Sequence, residues 1–330
     1  MSSAPKLLVV ELWGVGDQAM ATPFLQEAAR RYRVWLLGKP YAADLRPRFW
    51  PQVEIIPWTA PWTVLRGKYR LHRWPWREIV RVGMRLRRER FDFGVSGRWD
   101  PRDHFLLFLA GVRHRIGFRR AGSQLWLTRA LEPPDARAHR YDLWRAVGRP
   151  LEIDLPERSQ RRAPPRAGRA LGVVHTGAAQ PVRVWPLERY RALVGRLRQR
   201  GWAIQVLCDP GQVDGWREQG EPSAVAPGSV SDLLEWIDRA AWFVGNDSGA
   251  GHVAALAGVR TFTIFGPQVP AGFTPLHPEA EYIEGKPCPA KPCFDLCRYP
   301  EPHCLLGVSF EEVWGRLEPW LGSPGRQPAR

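Results

Sequence analysis

Asn246, Asp247, Ser248 and Gly249 stand in one run, FVGNDSGAGHVAALAGVRTFTIFGP at residues 243–267, with His252 three positions beyond the glycine. The run reads as a strand end, a sharp turn through those four residues, a small-residue helix from about Gly251 to Gly258, and a β-rich return from Thr261 to Phe265 closed by Gly266-Pro267. A helix that begins this way points unpaired backbone N–H groups and the positive end of its dipole at the turn, which makes an anion site. With a hydroxyl (Ser248) and an imidazole (His252) beside it, the anion that suits it is a diphosphate. The same four residues are also the ordinary constituents of a capped turn, so their types alone leave both readings open.

Two further residues carry charge at comparable places. Asp17 follows the turn Trp13-Gly14-Val15-Gly16, after an apolar strand over Lys6 to Leu12 and before a helix from about Gln18 to Tyr32. A carboxylate there stands at the carboxyl end of the first strand, where open α/β sheets bind ligands, and can act as a general base or serve as an N-cap. The turn is not GxGxxG, so a dinucleotide fingerprint is not supported. Arg183 follows the small-residue turn Thr176-Gly177-Ala178-Ala179 and precedes Trp185-Pro186 and a helix over Leu187 to Arg200. Its guanidinium can hold two phosphate oxygens at once, or it is one exposed arginine among many.

The elements that must position these residues alternate between strand and helix patterns through most of the 330 residues. That argues an α/β class, and the length argues two domains. Strands are predicted at Val34 to Leu37, Val53 to Pro57, Phe91 to Ser96 and Arg113 to Gly117, with a basic amphipathic helix over Glu78 to Arg90 between the second and third of these. From Pro156 to Arg169 the sequence PERSQRRAPPRAGR loses hydrophobic periodicity and reads as a linker, which sets the domains at 1–158 and 159–330. The second half restarts with a strand over Ala170 to His175 and another over Trp202 to Cys208. A helix over Ser231 to Ala240, capped by Ser231, feeds the central run, and a C-terminal helix at about 309–321 opens with the capping-box order Ser-Phe-Glu-Glu.

The formal charge of +15 predicts an acidic partner: nucleic acid, anionic lipid or a phosphorylated glycan. A dense Arg/Trp stretch, Pro57 to Arg90, suits single-stranded nucleic acid, an anionic membrane surface, or simply a solvated helix face over core tryptophans. The most apolar run, Phe105 to Val112, is far short of a membrane span, and the N-terminus lacks the pattern of a signal peptide, so a cytoplasmic location is expected. Four of the five cysteines, Cys288, Cys293, Cys297 and Cys304, fall within CPAKPCFDLCRYPEPHC. Four thiolates can complete a tetrahedral metal site, but the C-x4-C-x3-C-x6-C spacing lacks the close CxxC pairs of structural zinc sites, so no metal is assigned. Cys208, at a strand end, reads as buried structure.

Taken together, the motifs resemble glycosyltransferase family 9, the ADP-heptose:lipopolysaccharide heptosyltransferases. The resemblance is carried by Asp-Ser-Gly with His252, the Ala-rich helix and the strand ending Phe-Gly-Pro; by GVGDQAMATPFLQEA with Gly16-Asp17 and Thr22-Pro23; by GVRHRIGF and the later His139-Arg140-Tyr141-Asp142; by Trp185-Pro186 after Arg183, where lysine is common in the family; and by the Cys-rich stretch, whose first interval departs from the commoner spacing. It implies a GT-B architecture, two Rossmann-like doubly wound domains facing across a cleft, with the acceptor mainly on the N-terminal one and the activated sugar mainly on the C-terminal one. It further implies inverting transfer of a heptose or related sugar from an ADP-sugar to a lipopolysaccharide-core or similar glycan. Asp17 is then the base, with Gly16 and Thr22 on the acceptor side, and Thr176, Gly177, Arg183, Asp247, Ser248, Gly249 and His252 hold the sugar donor. No cofactor is required, and peripheral contact with the inner face of an anionic membrane is expected. The competing classes are a noncatalytic sugar-nucleotide or glycan binder and a basic nucleic-acid-binding protein, the latter without any recognisable recognition module.

Overall fold

The computed structural model describes residues 4–64, 70–135, 137–163, 170–293 and 296–322. By its internal contacts the chain divides into two compact units, one ending at Pro156 and the other beginning at Glu157. Part of the predicted linker, 164–169, lies outside the described residues.

The first unit runs β1 (Lys6–Glu11), α1 (Val15–Ala28), β2 (Arg33–Gly38), α2 (Ala42–Phe49), β3 (Glu54–Pro57), α3 (Trp76–Glu89), β4 (Phe93–Ser96), α4 (Pro101–Leu109), β5 (His114–Phe118), β6 (Arg129–Leu131) and α5 (Arg140–Gly148). Its six strands are parallel, in the order β3-β2-β1-β4-β5-β6. Leu7, Leu8, Val9 and Val10 are fully buried because helices cover both faces of the sheet, which is why β1 reads as a continuous apolar run and not an alternating one. Each such side chain contributes about 1.5–3 kcal/mol. One face packs Leu8, Val10, Trp35 and Leu37 against Ile79 and Leu86 of α3 and Leu106 and Leu107 of α4. Elsewhere α1 meets α5 through Phe24 and Trp144, whose ring centroids are 5.0 Å apart.

The second unit runs β7 (Leu171–His175), α6 (Leu187–Gln199), β8 (Ala203–Leu207), α7 (Val213–Glu218), α8 (Val230–Arg239), β9 (Ala240–Asn246), α9 (Gly249–Leu256), β10 (Arg260–Phe265), α10 (Pro270–Phe273), β11 (Glu281–Glu284), α11 (His303–Leu306) and α12 (Phe310–Leu321). Its five strands are also parallel, in the order β11-β10-β9-β7-β8. Val174, Val206, Val244, Phe262 and Ile264 meet α6 and α12 in one core. The opening of α12 is a capping box in which Ser309 Oγ accepts from Glu312 N–H at 3.1 Å and Glu312 Oε2 accepts from Ser309 N–H at 2.8 Å.

In each unit the strand order reverses once, between β1 and β4 in the first and between β7 and β9 in the second. At such a switch point the loops leaving the two strands diverge to opposite faces and open a crevice at the carboxyl ends.

Several expectations are corrected. Helix α1 starts at Val15, so Asp17 lies in its first turn and does not precede it. Helix α8 is capped by Ser229, whose Oγ accepts from Asp232 N–H at 3.0 Å, and not by Ser231. Helix α9 starts at Gly249, two residues before the predicted start. Within the Arg/Trp stretch, Trp58 and Trp62 are core side chains, their indoles donating to Glu78 and Asp103 at 2.7 and 3.1 Å. They therefore offer no stacking platform to a single-stranded nucleic acid. Among the described residues no helix is long and apolar enough to cross a membrane.

Candidate functional site

The first crevice belongs to the loops after β1 and β4. Asp17 is the third residue of α1; its Oδ2 accepts from the Gly14 N–H at 3.1 Å, while its Oδ1 accepts from Arg98 Nη1 at 2.8 Å. Arg98 leaves the end of β4 directly after Gly97, where an added Cβ would sit 2.6 Å from the Trp144 ring, so only glycine lets the chain pass. The Arg98 guanidinium also lies over the Trp13 ring, 4.3 Å from its centroid, so two contacts fix its direction. Beneath them Glu11 is buried, accepting from the Trp13 N–H at 3.2 Å. Burial, reinforced by the Asp17 charge, pushes its carboxyl up to about 8. Lys39, lowered by burial, and Arg140, lowered to about 10 by burial with Arg98 beside it, join Arg98 as cations in the field of Asp17. Tyr41 donates its hydroxyl to the Trp13 carbonyl and so ties the loop after β2 to the loop after β1.

This arrangement makes Asp17 a partly exposed carboxylate with fixed oxygens among cations, suited to accept a proton from a hydroxyl in an anionic molecule. Gly16, within the same first turn, is buried. Thr22 does not belong to the site: it is fully buried, its Oγ1 donating to the Gln18 carbonyl and accepting from Trp50 Nε1, both at 3.0 Å. The helix periodicity explains this, because Thr22 points into the unit where Asp17 points out.

The second crevice belongs to the loops after β7 and β9. Asn246, the last residue of β9, joins them: its Nδ2 donates to the Thr176 carbonyl at 2.8 Å and the Gly177 carbonyl at 3.3 Å, and its Oδ1 accepts from Trp185 N–H at 3.0 Å and Tyr190 OH at 2.8 Å. Arg183 reaches back to pair with Asp247 Oδ2 at 3.0 Å. Ser248 occupies the cap position of α9 in extended backbone, but its side chain makes no capping bond, and its Oγ is buried with no hydrogen-bond partner among the described residues. The first N–H groups of α9, from Gly249 onward, are thus not capped by a side chain, and His252 lies one turn in, nearly buried. Thr176, by contrast, is internal: its hydroxyl donates to Gln212 Oε1 and accepts from Trp216 Nε1, each at 3.1 Å. Its side chain therefore holds the loop. Gly177 is needed because a Cβ there would meet Asp209 Oδ1 at 2.3 Å.

The structure thus gathers Arg183, Asp247, Ser248, Gly249 and His252 at one switch point and Asp17 at the other, and it buries the Thr22 and Thr176 side chains in internal hydrogen bonds. Missing from the sequence reading were Arg98, Glu11, Lys39 and Arg140 in the first crevice and the joining role of Asn246 in the second. Arg98 carried a usable signal, since it follows a predicted strand within Ser-Gly-Arg and so stands at that strand's carboxyl end. The four clustered cysteines line one pocket with Lys291, Arg298 and His303, and burial pushes the Cys304 thiol up. Among the described residues no three His, Cys, Asp or Glu side chains are arranged to hold a metal ion.

Each unit is a parallel, doubly wound sheet with a polar switch point, the α/β fold shared with GT-B heptosyltransferases, and comparison with known proteins assigns the class. A model of glycosyltransferase family 9 (heptosyltransferase) matches residues 79–302. The chain belongs to this family. It is 26% identical to lipopolysaccharide heptosyltransferase 1 of Pseudomonas aeruginosa over 371 residues, covering 97% of this chain and 99% of the relative. It shares its fold with the Escherichia coli ADP-heptose LPS heptosyltransferase II (TM-score 0.70, 19% identity, 96% and 98% of the two chains) and with E. coli heptosyltransferase WaaC with ADP (TM-score 0.72, 16% identity, 96% and 99%).

Proposed function

We propose that the protein transfers a heptose or closely related sugar from an ADP-sugar to a glycan of the lipopolysaccharide-core kind, with inversion at the anomeric carbon. One observation carries the reading: each unit places its charged residues at its own switch point, a fixed carboxylate in the first and a helix N-terminus beside an arginine in the second. The names of the relatives support the substrates, since one transfers heptose in lipopolysaccharide synthesis and another was solved with ADP.

In this reading Asp17 removes the proton from the attacking hydroxyl while Arg98 and the Gly14 N–H keep its oxygens in place. The cations Lys39, Arg98 and Arg140 around Asp17 suit an acceptor that bears carboxylate or phosphate. The bond to the leaving diphosphate breaks as the new glycosidic bond forms, and negative charge builds on the diphosphate. Arg183, the N–H groups around Ser248 and Gly249, and His252 stabilise that charge. Asp247 holds Arg183 in readiness for the diphosphate. These groups carry the leaving charge themselves, so the reading gives a metal no role. In this reading the acceptor glycan is lipid-borne and the protein works peripherally at the inner face of a membrane.

Incubation with a panel of nucleoside-diphosphate sugars, followed by mass spectrometry, tests this reading. ADP release with a heptose-sized mass gain on a core-glycan fragment is expected, and ADP should raise the melting temperature by mass action. Turnover confined to a donor with another base would contradict the reading, as would stabilisation by oligonucleotides but not by ADP.

A further inference from the structure

The outer face of α3 differs from that of an ordinary surface helix. Ile79, Gly83 and Leu86 turn inward. Trp76, Val80 and Met84, spaced four apart and so stacked along one side, are 47%, 52% and 53% exposed. Leu71, 54% exposed, extends the apolar row ahead of the helix. One residue on, Arg77, Arg81 and Arg85 form a parallel exposed row. Between residues 70 and 90 there are eight arginines and two glutamates, and both glutamates are engaged by the body of the unit, Glu78 by the Trp58 indole at 2.7 Å and Glu89 by Lys6 at 3.0 Å. The adjoining helix continues the pattern. Helix α4 meets α3 where Gly83 faces Leu109, and it exposes Phe105 and Phe108, with the Arg115 guanidinium 5.6 Å from the Phe108 ring.

A helix that faces only water gains nothing from such a row, and adjacent exposed apolar side chains rimmed by polar ones mark an interaction surface. Its composition discriminates between partners. Single-stranded nucleic acid needs a succession of aromatic faces for stacking, yet along this row Trp76 is followed by Val80 and Met84, which supply none, and Trp58 and Trp62 are buried. A second copy of the chain would bring like-charged arginine rows together. A shallow apolar row beside a basic row matches an interface that is apolar below and negatively charged at the headgroups.

We propose that the Trp76/Val80/Met84 row and its arginines dock the first unit on the surface of an anionic lipid bilayer. The inference deepens the reading of a lipid-borne acceptor and rests on it for its purpose, while the surface itself is independent of the transfer chemistry. The apolar row enters the boundary of the acyl chains, and the arginines lie at headgroup level.

The test is co-sedimentation of the full chain with phosphatidylcholine vesicles carrying increasing phosphatidylglycerol, alongside two variants, Val80→Glu/Met84→Glu and Arg77→Glu/Arg81→Glu/Arg85→Glu. Turnover of a soluble acceptor fragment and melting temperature are measured on the same preparations. Binding should rise with phosphatidylglycerol and fall on going from about 0.1 M to about 1 M salt, as the screening length shortens from about 10 Å to about 3 Å. Each arginine neutralised should weaken it about fivefold, and both variants should lose it with folding and turnover intact. Equal binding to neutral and anionic vesicles, or wild-type binding by either variant, overturns the proposal. So does an oligonucleotide that displaces the protein from vesicles, or a dimer that the substitutions dissolve while vesicle binding persists. Absence of vesicle binding by the unsubstituted protein while it turns over ADP-sugars counts against the docking surface alone, and docking by a protein that does not turn over ADP-sugars counts against the proposed function alone.

Discussion

Asp17 was visible in the sequence as a carboxylate after a Gly-rich turn, but its setting was not, because Glu11 and Arg98 join it only when β1 and β4 pair. Glu11 gives the setting a measurable signature. Its folded pKa, about 8, lies above the usual carboxylate value, so the folded state holds a proton that the unfolded chain releases. The stability this group contributes is therefore full below about pH 4.5 and is lost as pH rises toward about 8. Glu11→Gln keeps the neutral shape and removes the titration. Its melting temperature relative to wild type should thus climb between pH 5 and pH 8, at about 2–4 °C per kcal/mol for a domain of this size, and a pH-independent difference would show that Glu11 is not held neutral. Arg183 and Asp247 make a second residue-scale case. Arg183→Ala should weaken ADP binding by about 1.5–3 kcal/mol through lost charge-assisted bonds, and it should also lower stability, because Asp247 is buried and loses this guanidinium. Asp247→Ala should weaken binding less. Calorimetry giving wild-type ADP affinity for both would move the diphosphate elsewhere.

At the scale of elements, the two loop-to-helix turns were legible because glycine, aspartate and serine announce themselves between a buried strand and a small-residue helix. What the sequence did not reveal was how the loop after β7 is joined to the loop after β9. Asn246 reads locally as a turn residue, whereas its four hydrogen bonds reach Thr176, Gly177, Trp185 and Tyr190, which are 56 to 70 positions away. Periodicity carries no information about such partners. For the same reason Thr22 and Thr176 were taken for site residues, though packing turns both side chains inward. Asn246→Ala leaves several buried groups unpaired, each costing about 1–3 kcal/mol, and it frees the two loops that frame α9. Urea unfolding should show a stability loss of several kcal/mol together with weaker ADP binding, and unchanged ADP affinity would detach α9 from nucleotide recognition. Helix α3 illustrates the opposite limit. Its amphipathic pattern marked a helix but could not say which tryptophans of the Arg/Trp stretch face out, since that depends on how Trp58 and Trp62 fold under it.

At the scale of the whole molecule, strand and helix alternation was enough to give the α/β class and two doubly wound sheets, because parallel strands buried on both faces leave unbroken apolar runs. Strand order was not legible, yet it is what turns two motifs into two sites, since the reversal at β1/β4 and at β7/β9 selects which loops open. The central claim is a division of labour, with proton removal in the first unit and recognition of the activated sugar's diphosphate in the second. It is tested most directly by Asp17→Asn, which keeps the size of the side chain and an oxygen for the Gly14 N–H but gives up the charge. Turnover and ADP-sugar affinity should be measured in parallel on the same preparation. The account predicts turnover lower by at least about 100-fold, the scale of general-base contributions, with ADP-sugar affinity within about twofold of wild type. Near-normal turnover, or a loss of affinity that matches the loss of turnover, would contradict it.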